Sequence, residues 1–188
     1  VYNVEKSIFW TIRLTGSYYM NRYDGFGSLM DNLNESLVAS NILQRYADGY
    51  SPKDIWAVRS YGIDPASGEE IFITKNGDLT YPYNPDDMVV VGHEIPTLMG
   101  VASTTFRYKN FSASARFRYS FGSSIYNNAL FQKVENITKS ALDKNQDKRA
   151  LYDRWKEPGD ISMFKSISIV ESIAPMTSRF VQKNNYLS

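Results

Sequence analysis

Residues 98–121 have the sequence LMGVASTTFRYKNFSASARFRYSF, and this stretch decides the fold. In its second half apolar and polar residues alternate without a break, which is the side-chain period of a β-strand. The apolar set there is Phe111, Ala113, Ala115, Phe117, Tyr119 and Phe121. The first half alternates less cleanly, because Gly100 and Thr104 stand among its apolar positions. The stretch therefore predicts one long β-hairpin.

The register of this hairpin follows from a two-residue Lys-Asn turn at 109–110. Tyr108 then pairs with Phe111, and Phe106 pairs with Ala113. With this pairing the apolar sets of both strands fall on the same side of the sheet. We therefore predict a hairpin with one apolar face and one polar face.

The length of the two strands indicates what the apolar face contacts. Each strand spans about ten residues or more, which suits a tilted transmembrane strand and is about twice the usual soluble strand. Aromatic residues lie at both ends, as in the girdles of outer-membrane barrels. Phe106, Tyr108 and Phe111 lie near the turn, and Tyr119 and Phe121 lie at the far end. The alternative is a soluble sandwich that buries the apolar face in its core.

A third long strand is predicted over about residues 8–21. Its apolar positions are Ile8, Trp10, Ile12, Leu14, Tyr18 and Met20. A fourth strand is predicted to start within about 179–188, where Arg179-Phe180-Val181 and Tyr186-Leu187 occur. Several long alternating strands favour the membrane barrel over the soluble sandwich.

Two long connections, about 23–96 and 122–177, separate these strands. Segments of this length need folded structure of their own. Asn76-Gly77 predicts a tight hairpin between residues 71–74 and 79–81, and a short strand is expected over Met88–Val91. A first helix is predicted after Ser28, as its cap, with Leu29, Leu33 and Leu37 on one side. A second is predicted from the spacing of Leu130, Val134, Ile137 and Ala141. A third is predicted around Arg149–Trp155.

The composition excludes several kinds of protein. The 188 residues carry 21 basic and 20 acidic side chains for a net charge of +1, and the basic residues are scattered, so nucleic acid is not an expected partner. The absence of cysteine excludes disulfides, thiolate metal sites and thiol catalysis. No run approaches the ~18 apolar residues of a membrane helix. Because both ends look like structured sequence, we expect an internal fragment of a longer protein.

Catalytic and metal-binding patterns are weak. The single histidine, His93, excludes a histidine-based triad or a multi-histidine metal site and is expected in a loop. Asp143, Asn145 and Asp147 imitate a calcium loop, but Lys148 stands where glycine is required. No two carboxylates are spaced in a way that marks a hydrolase pair. We therefore expect neither an enzyme nor a cofactor.

Short sequence blocks spread along nearly the whole chain carry a family resemblance. The longest is WAVRSYGIDPASGE at 56–69. The others, in order, are VVG at 90–92, RYKNFS at 107–112, FRYSFG at 117–122, KVEN at 133–136, DKRAL at 147–151, RWKEPGD at 154–160 and TSRFV at 177–181. Each block is weak alone, but together and in this order they specifically resemble the SusC/RagA family of TonB-linked outer-membrane proteins.

The resemblance implies a piece of a transmembrane antiparallel β-barrel of ~22 strands in the outer membrane of a Gram-negative bacterium. The plug, the segment that engages TonB and the final strands would lie outside this chain. A SusD-like lipoprotein would cap the mouth, and the pair would import oligosaccharides or peptides. Residues 23–96 and 122–177 would be extracellular loops.

Site residues follow from the predicted faces and loops. Four arginines are expected to point into the lumen, because a cation on the lipid face costs ~2–4 kcal/mol at the midplane: Arg13, Arg107, Arg116 and Arg118. Trp10, Phe106, Phe111, Phe117 and Tyr119 would face lipid. The loop aromatics Tyr50, Trp56, Tyr61 and Trp155 would contact substrate or lid, or else form cores of the folded loops. The alternative function is a soluble all-β surface module that binds glycan through these aromatics.

Overall fold

The computed structural model describes residues 8–40, 42–137, 144–167 and 175–188. They form antiparallel sheets with short helices, which confirms the predicted all-β class. The strands are β1 (Ile8–Tyr18), β2 (Asp54–Ile63), β3 (Glu70–Ile73), β4 (Leu79–Thr80), β5 (Met88–His93), β6 (Leu98–Tyr108), β7 (Phe111–Phe121), β8 (Ser124–Tyr126), β9 (Val181–Lys183) and β10 (Tyr186–Leu187). The helices are α1 (Asp31–Ala39), α2 (Asn128–Leu130), which continues as a π-helical turn over Phe131–Glu135, and α3 (Arg149–Tyr152).

A long sheet with the strand order β1-β6-β7-β10 carries the predicted hairpin. β1, β6 and β7 each contain 11 residues and pair antiparallel along their whole length. The two-residue turn is at 109–110, where Lys109 has a φ of 49°. Tyr108 lies opposite Phe111, and Phe106 lies opposite Ala113. The predicted strands, turn and register of the hairpin are therefore confirmed.

The same register extends the apolar face over three strands. Its six cross-strand rows are Ile8/Tyr108/Phe111, Trp10/Phe106/Ala113, Ile12/Thr104/Ala115, Leu14/Ala102/Phe117, Gly16/Gly100/Tyr119 and Tyr18/Leu98/Phe121. Most side chains of the intervening rows are polar and lie on the opposite face. We call these two surfaces the apolar face and the polar face.

The apolar face is exposed over most of its area. Leu14 is 71% exposed, Trp10 65% and Phe111 62%, whereas a sandwich core would bury such side chains. The few polar groups on this face bond within it, since the Trp10 indole Nε1 donates to Thr104 Oγ1 at 2.8 Å. This bond satisfies the indole N–H within the face.

Tyr119 crosses the apolar face where the row contains two glycines. Its hydroxyl donates to the Thr15 carbonyl oxygen at 2.9 Å, so the ring reaches from β7 across β6 to β1. A Cβ at Gly100 would lie 2.5 Å from the Tyr119 hydroxyl and would also meet the Thr15 carbonyl. Glycine at position 100 therefore makes room for the tyrosine.

The first excursion, residues 19–97, has its own sheet with the order β4-β3-β2-β5. Val58, Phe72 and Met88 form its core, with Tyr83 packed against them. The predicted folded structure, the hairpin between β3 and β4, and the β5 strand are confirmed. The central strand, β2, was not predicted from the sequence, because its buried residues do not alternate with exposed ones.

The second excursion, residues 122–180, packs around a core of its own. That core is Leu130, Phe131, Val134, Ala150, Phe164 and Phe180. Its helices are confirmed but shorter than predicted, since the first ends at Glu135 and α3 ends at Tyr152. Ala141, the last position of the predicted first helix, lies outside the described residues. Within the described ranges, no helix has the length and apolar character needed to cross a membrane.

The fourth long strand, predicted to start within about 179–188, does not include residues 179–183 in the long sheet. Residues 178–180 form a 3₁₀ turn that buries Phe180 in the second excursion, and β9 pairs with β8. Pairing with β7 begins at Tyr186, in β10. The apolar residues at 180–181 therefore belong to the excursion core. At the other edge of the sheet, β1 ends at Tyr18 rather than at the predicted residue 21.

The predicted capping of the first helix is also wrong. Residues 27–30 form a 3₁₀ turn before α1, and no side chain caps either element. Instead, the carboxylate of Asp48 accepts hydrogen bonds from the backbone N–H groups of Phe26 and Gly27, each at 2.9 Å. These bonds lower the pKa of Asp48. The acceptor comes from residue 48 rather than from Ser28, which a local capping pattern does not reveal.

Candidate functional site: a basic polar face and a tyrosine pocket

The four arginines of the long strands lie on the polar face of the sheet: Arg13, Arg107, Arg116 and Arg118. Arg13 and Arg116 stand opposite the same residue, Ser103, and so share one cross-strand row. Arg118 is in the next row of that face. The register thus gathers basic residues that are scattered in the sequence. A water-filled lumen on this side stays a prediction.

Three of these arginines line a concavity of about 590 Å³ on the polar face. Its lining residues are Arg13, Thr15, Val101, Ser103, Arg116, Arg118 and Ser188. The strands β1, β6 and β7 contain no Asp or Glu. Among the described residues, the guanidinium groups of Arg13, Arg116 and Arg118 form no ion pair and no hydrogen bond. The concavity is therefore positively charged and uncompensated within the described ranges.

A second cavity of about 450 Å³ lies where the first excursion meets the end of β1, and we call it the tyrosine pocket. Its lining residues are Tyr19, Met20, Asn21, Arg22, Gly49, Tyr50, Ser51, Asp54, Val90, His93, Ile95 and Thr97. Backbone bonds hold its walls, since Tyr23 N donates to Tyr50 O at 2.8 Å and Tyr19 N donates to Thr97 O at 3.3 Å. Aromatic rings beside a few polar groups are typical of small-molecule and peptide sites.

Asp54 and His93 form a pair on one wall of the tyrosine pocket. Their Oδ1 and Nδ1 atoms are 2.5 Å apart, and the second carboxylate oxygen accepts from Ser51 N at 2.9 Å. The Asp54 side chain is buried whereas His93 is largely exposed. His93 is the last residue of β5, so its prediction as a loop residue is wrong by one position. No local pattern links residues 54 and 93, which β2–β5 pairing brings together.

Three of the predicted loop aromatics lie in the first excursion. Tyr50 lines the tyrosine pocket, and its ring meets that of Trp56 edge-on with centroids 4.6 Å apart. Trp56 is half-buried, and its Nε1 has no hydrogen-bond partner in the described part of the chain. Tyr61 sits at the bulge of β2 and is 68% exposed. Contact of these rings with substrate or lid stays a prediction.

Trp155, the fourth loop aromatic, joins the two excursions. Its indole Nε1 donates to the Pro65 carbonyl oxygen at 2.9 Å. Its ring lies against Gly68, where a Cβ would come within 2.5 Å of the indole. Gly68 has a φ of 73°, a conformation that favours glycine. Trp155 therefore packs between the two excursions, and its contact with substrate or lid stays a prediction.

A buried ion cluster, which we call the Arg179 cluster, joins the excursions at a second place. Arg179 Nη2 lies 3.0 Å from Glu70 Oε2 and 2.6 Å from Glu135 Oε1. Lys165 Nζ lies 3.4 Å from Glu70, and Thr177 Oγ1 donates to the same carboxylate at 2.8 Å. Glu70 belongs to β3 of the first excursion, and the other members belong to the second. One guanidinium therefore holds the two excursions together.

The electrostatics of the Arg179 cluster favour the ionised form of Glu70. Burial alone would raise the pKa of Glu70, but attraction to Arg179 and Lys165 outweighs it and holds the pKa below the ordinary value. Burial likewise opposes the charge of Arg179, and its bonds to Glu135 and Glu70 raise its pKa instead. The ionised Glu70 and Arg179 therefore form a structural pair between the two excursions.

The described residues contain no group of three or more His, Cys, Asp or Glu side chains arranged to hold a metal ion. Asp147, a member of the calcium-like spacing, is bound by the Arg149 guanidinium at 2.6 Å and 3.0 Å. These bonds lower the pKa of Asp147 to about 2. Asp143, another member of that spacing, lies outside the described residues.

These features define a two-faced antiparallel sheet that carries two folded excursions, joined to each other by a tryptophan and an ion cluster. The chain is similar to solved structures of RagAB, described as a peptide transporter and as a peptide importer. The transporter structure and the importer in its closed-closed state each match over 100% of this chain and 20% of theirs, at 16% identity and a TM-score of 0.71. The open-open importer matches over 97% of this chain and 19% of its own, at 16% identity and 0.68.

This similarity shows the fold alone. The chain spans about one fifth of the length of the RagAB chains it matches. No family model matches the sequence, and a search of curated proteins finds no match. Membership of the SusC/RagA family, indicated by the sequence blocks, therefore stays a prediction.

Proposed function

We propose that this chain forms part of the barrel wall and two extracellular excursions of a TonB-dependent outer-membrane importer of the SusC/RagA kind. The sequence blocks and the structural similarity to RagAB support the same class of protein. In this proposal the apolar face meets lipid and the polar face meets the aqueous lumen. The chain has a transport role and no enzymatic step.

The observation that carries the proposal is the unbroken register of the six apolar rows. Eleven residues span about 36 Å when extended, and a strand tilted by ~45° then crosses a ~25 Å apolar band. Aromatic side chains lie at both ends of the face, with Trp10 and Phe111 near the turn and Tyr18 and Phe121 at the other end. This distribution is typical of the two interfacial girdles.

The rival soluble module has less support. A soluble glycan-binding protein would cover its apolar sheet face with a second layer, because burial is what stabilises it in water. Both cores of the described chain lie in the excursions instead, and Phe117 at the centre of the apolar face is 46% exposed. In our proposal, the hydrocarbon of the bilayer covers the apolar face.

Substrate and partners are also part of the proposal. Peptides are favoured over oligosaccharides, because the similar structures are described as a peptide transporter and importer. The joined excursions would form the mouth and the seat of a SusD-like lipoprotein lid, and TonB would act through a plug region. Of the four predicted loop aromatics, Tyr50 and Tyr61 are the most exposed and so the most available to a solute or lid.

A matched pair of lysine substitutions tests the proposal. Ala115→Lys places a charge on the apolar face and should reduce the assembled protein in the outer membrane strongly, because a midplane lysine costs ~2–4 kcal/mol. Ser114→Lys lies one residue away on the polar face and should assemble like the parent protein. Heat-modifiable migration of outer-membrane fractions measures assembly. Equal assembly of both variants would argue against the membrane wall.

A further inference from the structure

The concavity on the polar face is a charged site that the wall proposal does not require. A barrel interior needs polar side chains, and serine or threonine would satisfy that need without repulsion. Here Arg13, Arg116 and Arg118 line one concavity of about 590 Å³, and none of their guanidinium groups is paired among the described residues. Like charges gathered on one face of a sheet repel one another. Their clustering therefore indicates a negatively charged occupant.

The spacing of these groups indicates the shape of that occupant. Side chains two residues apart on a strand, such as Arg116 and Arg118, are about 7 Å apart. Arg13 lies two strands away in the row of Arg116, at about 10 Å between backbones. An extended peptide repeats its own side chains on one side at the same interval of about 7 Å. Alternate acidic side chains of such a peptide can therefore meet Arg116 and Arg118 together.

Guanidinium chemistry favours carboxylates at this site. The planar guanidinium donates two parallel hydrogen bonds to a carboxylate and stays charged throughout the physiological pH range. The hydroxyl of Ser103, between Arg13 and Arg116, adds a neutral donor to the same surface. No carboxylate on β1, β6 or β7 competes for the guanidiniums.

We propose that Arg13, Arg116 and Arg118 form a binding site for the side-chain carboxylates of acidic peptides passing along the polar face. This inference rests on the proposed transport function and gives it a substrate class. The site selects peptides by negative charge rather than by sequence, because three arginines at fixed positions respond only to the charge and spacing of the peptide side chains.

Binding of two labelled peptides to the purified full-length protein in detergent tests the site. Hexaglutamate should bind at least about tenfold more tightly than hexaglutamine at ~20 mM salt, and this preference should shrink at ~300 mM salt, where exposed charges are screened. Fluorescence anisotropy measures both affinities. Equal affinities for the two peptides would overturn the proposal without any variant being made.

Substitution of two arginines tests whether these residues cause the preference for hexaglutamate. The double variant Arg116→Gln/Arg118→Gln should lose at least about tenfold in hexaglutamate affinity and leave hexaglutamine binding unchanged. Lys109→Asn is the matched control, because it removes a positive charge from the turn, off the polar face, and asparagine tolerates the φ of 49° there. If the double variant binds hexaglutamate like the parent, another segment of the protein occupies these arginines and the proposal is wrong.

Uptake by cells separates this inference from the transport proposal. If both peptides bind equally and are imported at equal rates, the transport proposal is supported and the proposed acidic-peptide site is wrong. Selective binding of hexaglutamate without import of either peptide would support the site and contradict transport. Selective binding together with selective import supports both.

Discussion

Tyr119 holds three strands of the long sheet together through one ring. It starts on β7, passes over Gly100 on β6 and donates its hydroxyl to the Thr15 carbonyl on β1. The alternation of residues predicts that Tyr119 lies on the apolar face. It does not predict the hydrogen bond, because that bond depends on two glycines in strands far apart in sequence.

Gly100→Ala should weaken the long sheet. The new Cβ would meet the Tyr119 hydroxyl at 2.5 Å and the rigid Thr15 backbone, so the ring and the strand must both move. Overpacking of this kind costs about 1–3 kcal/mol. Urea unfolding of the folded protein in lipid vesicles measures the loss of stability.

Gly16→Ala is the matched control for this substitution. Its Cβ would meet the Tyr119 hydroxyl at 2.9 Å and no backbone atom at shorter range, so the phenol can shift. We expect a smaller loss than for Gly100→Ala. An equal or larger loss at position 16 would mean that the Tyr119 ring does not lie over Gly100.

At the scale of elements, the Arg179 cluster makes the two excursions one unit. Glu70 of β3 and Glu135 bind the same guanidinium, and Ser60 N in β2 donates to Ser178 Oγ at 2.9 Å nearby. The sequence predicted that each excursion folds, since connections of that length need a core. The sequence did not predict the ion pair that connects the two excursions, because Glu70 and Arg179 lie in separate segments with no shared periodicity.

Acid should weaken the contact between the two excursions at the Arg179 cluster. The pKa of Glu70 is lower in the folded protein than in the unfolded chain, so its contribution to stability is complete above about pH 4.3 and is lost as the pH falls toward the folded value. Hydrogen-exchange protection of β3 and β9 amides, corrected for intrinsic rates, should therefore drop between pH 7 and about pH 3.5.

Glu70→Gln supplies the control for the acid effect. The variant leaves Arg179 with Glu135 alone, and breaking a buried pair costs about 3 kcal/mol, so protection at pH 7 should already be reduced. Acidification should then remove less further protection than in the parent protein. The same acid loss in both proteins would show that Glu70 is not the group responsible.

For the whole molecule, alternation alone predicted the long hairpin, its turn and the division into two faces, because a one-residue slip would have reversed every side chain. The central strand β2 was missed, since burial on both sides removes the alternation. The fourth strand was predicted only as a range, about 179–188, because Phe180 belongs to an excursion core and its apolar character does not mark the start of pairing at Tyr186. The tyrosine pocket was not predicted, because its walls come from three separate segments, 19–22, 49–54 and 90–97.

The central claim is that the apolar face meets hydrocarbon, and nitroxide-lipid quenching tests it most directly. The chain contains no cysteine, so a fluorophore can be attached at Ala115→Cys or at Ser114→Cys in the membrane-embedded protein. Quenching by lipids that carry a nitroxide on the acyl chain should be strong for the label at 115 and weak for the label at 114. Equal quenching at both positions, or stronger quenching at 114, would contradict the account.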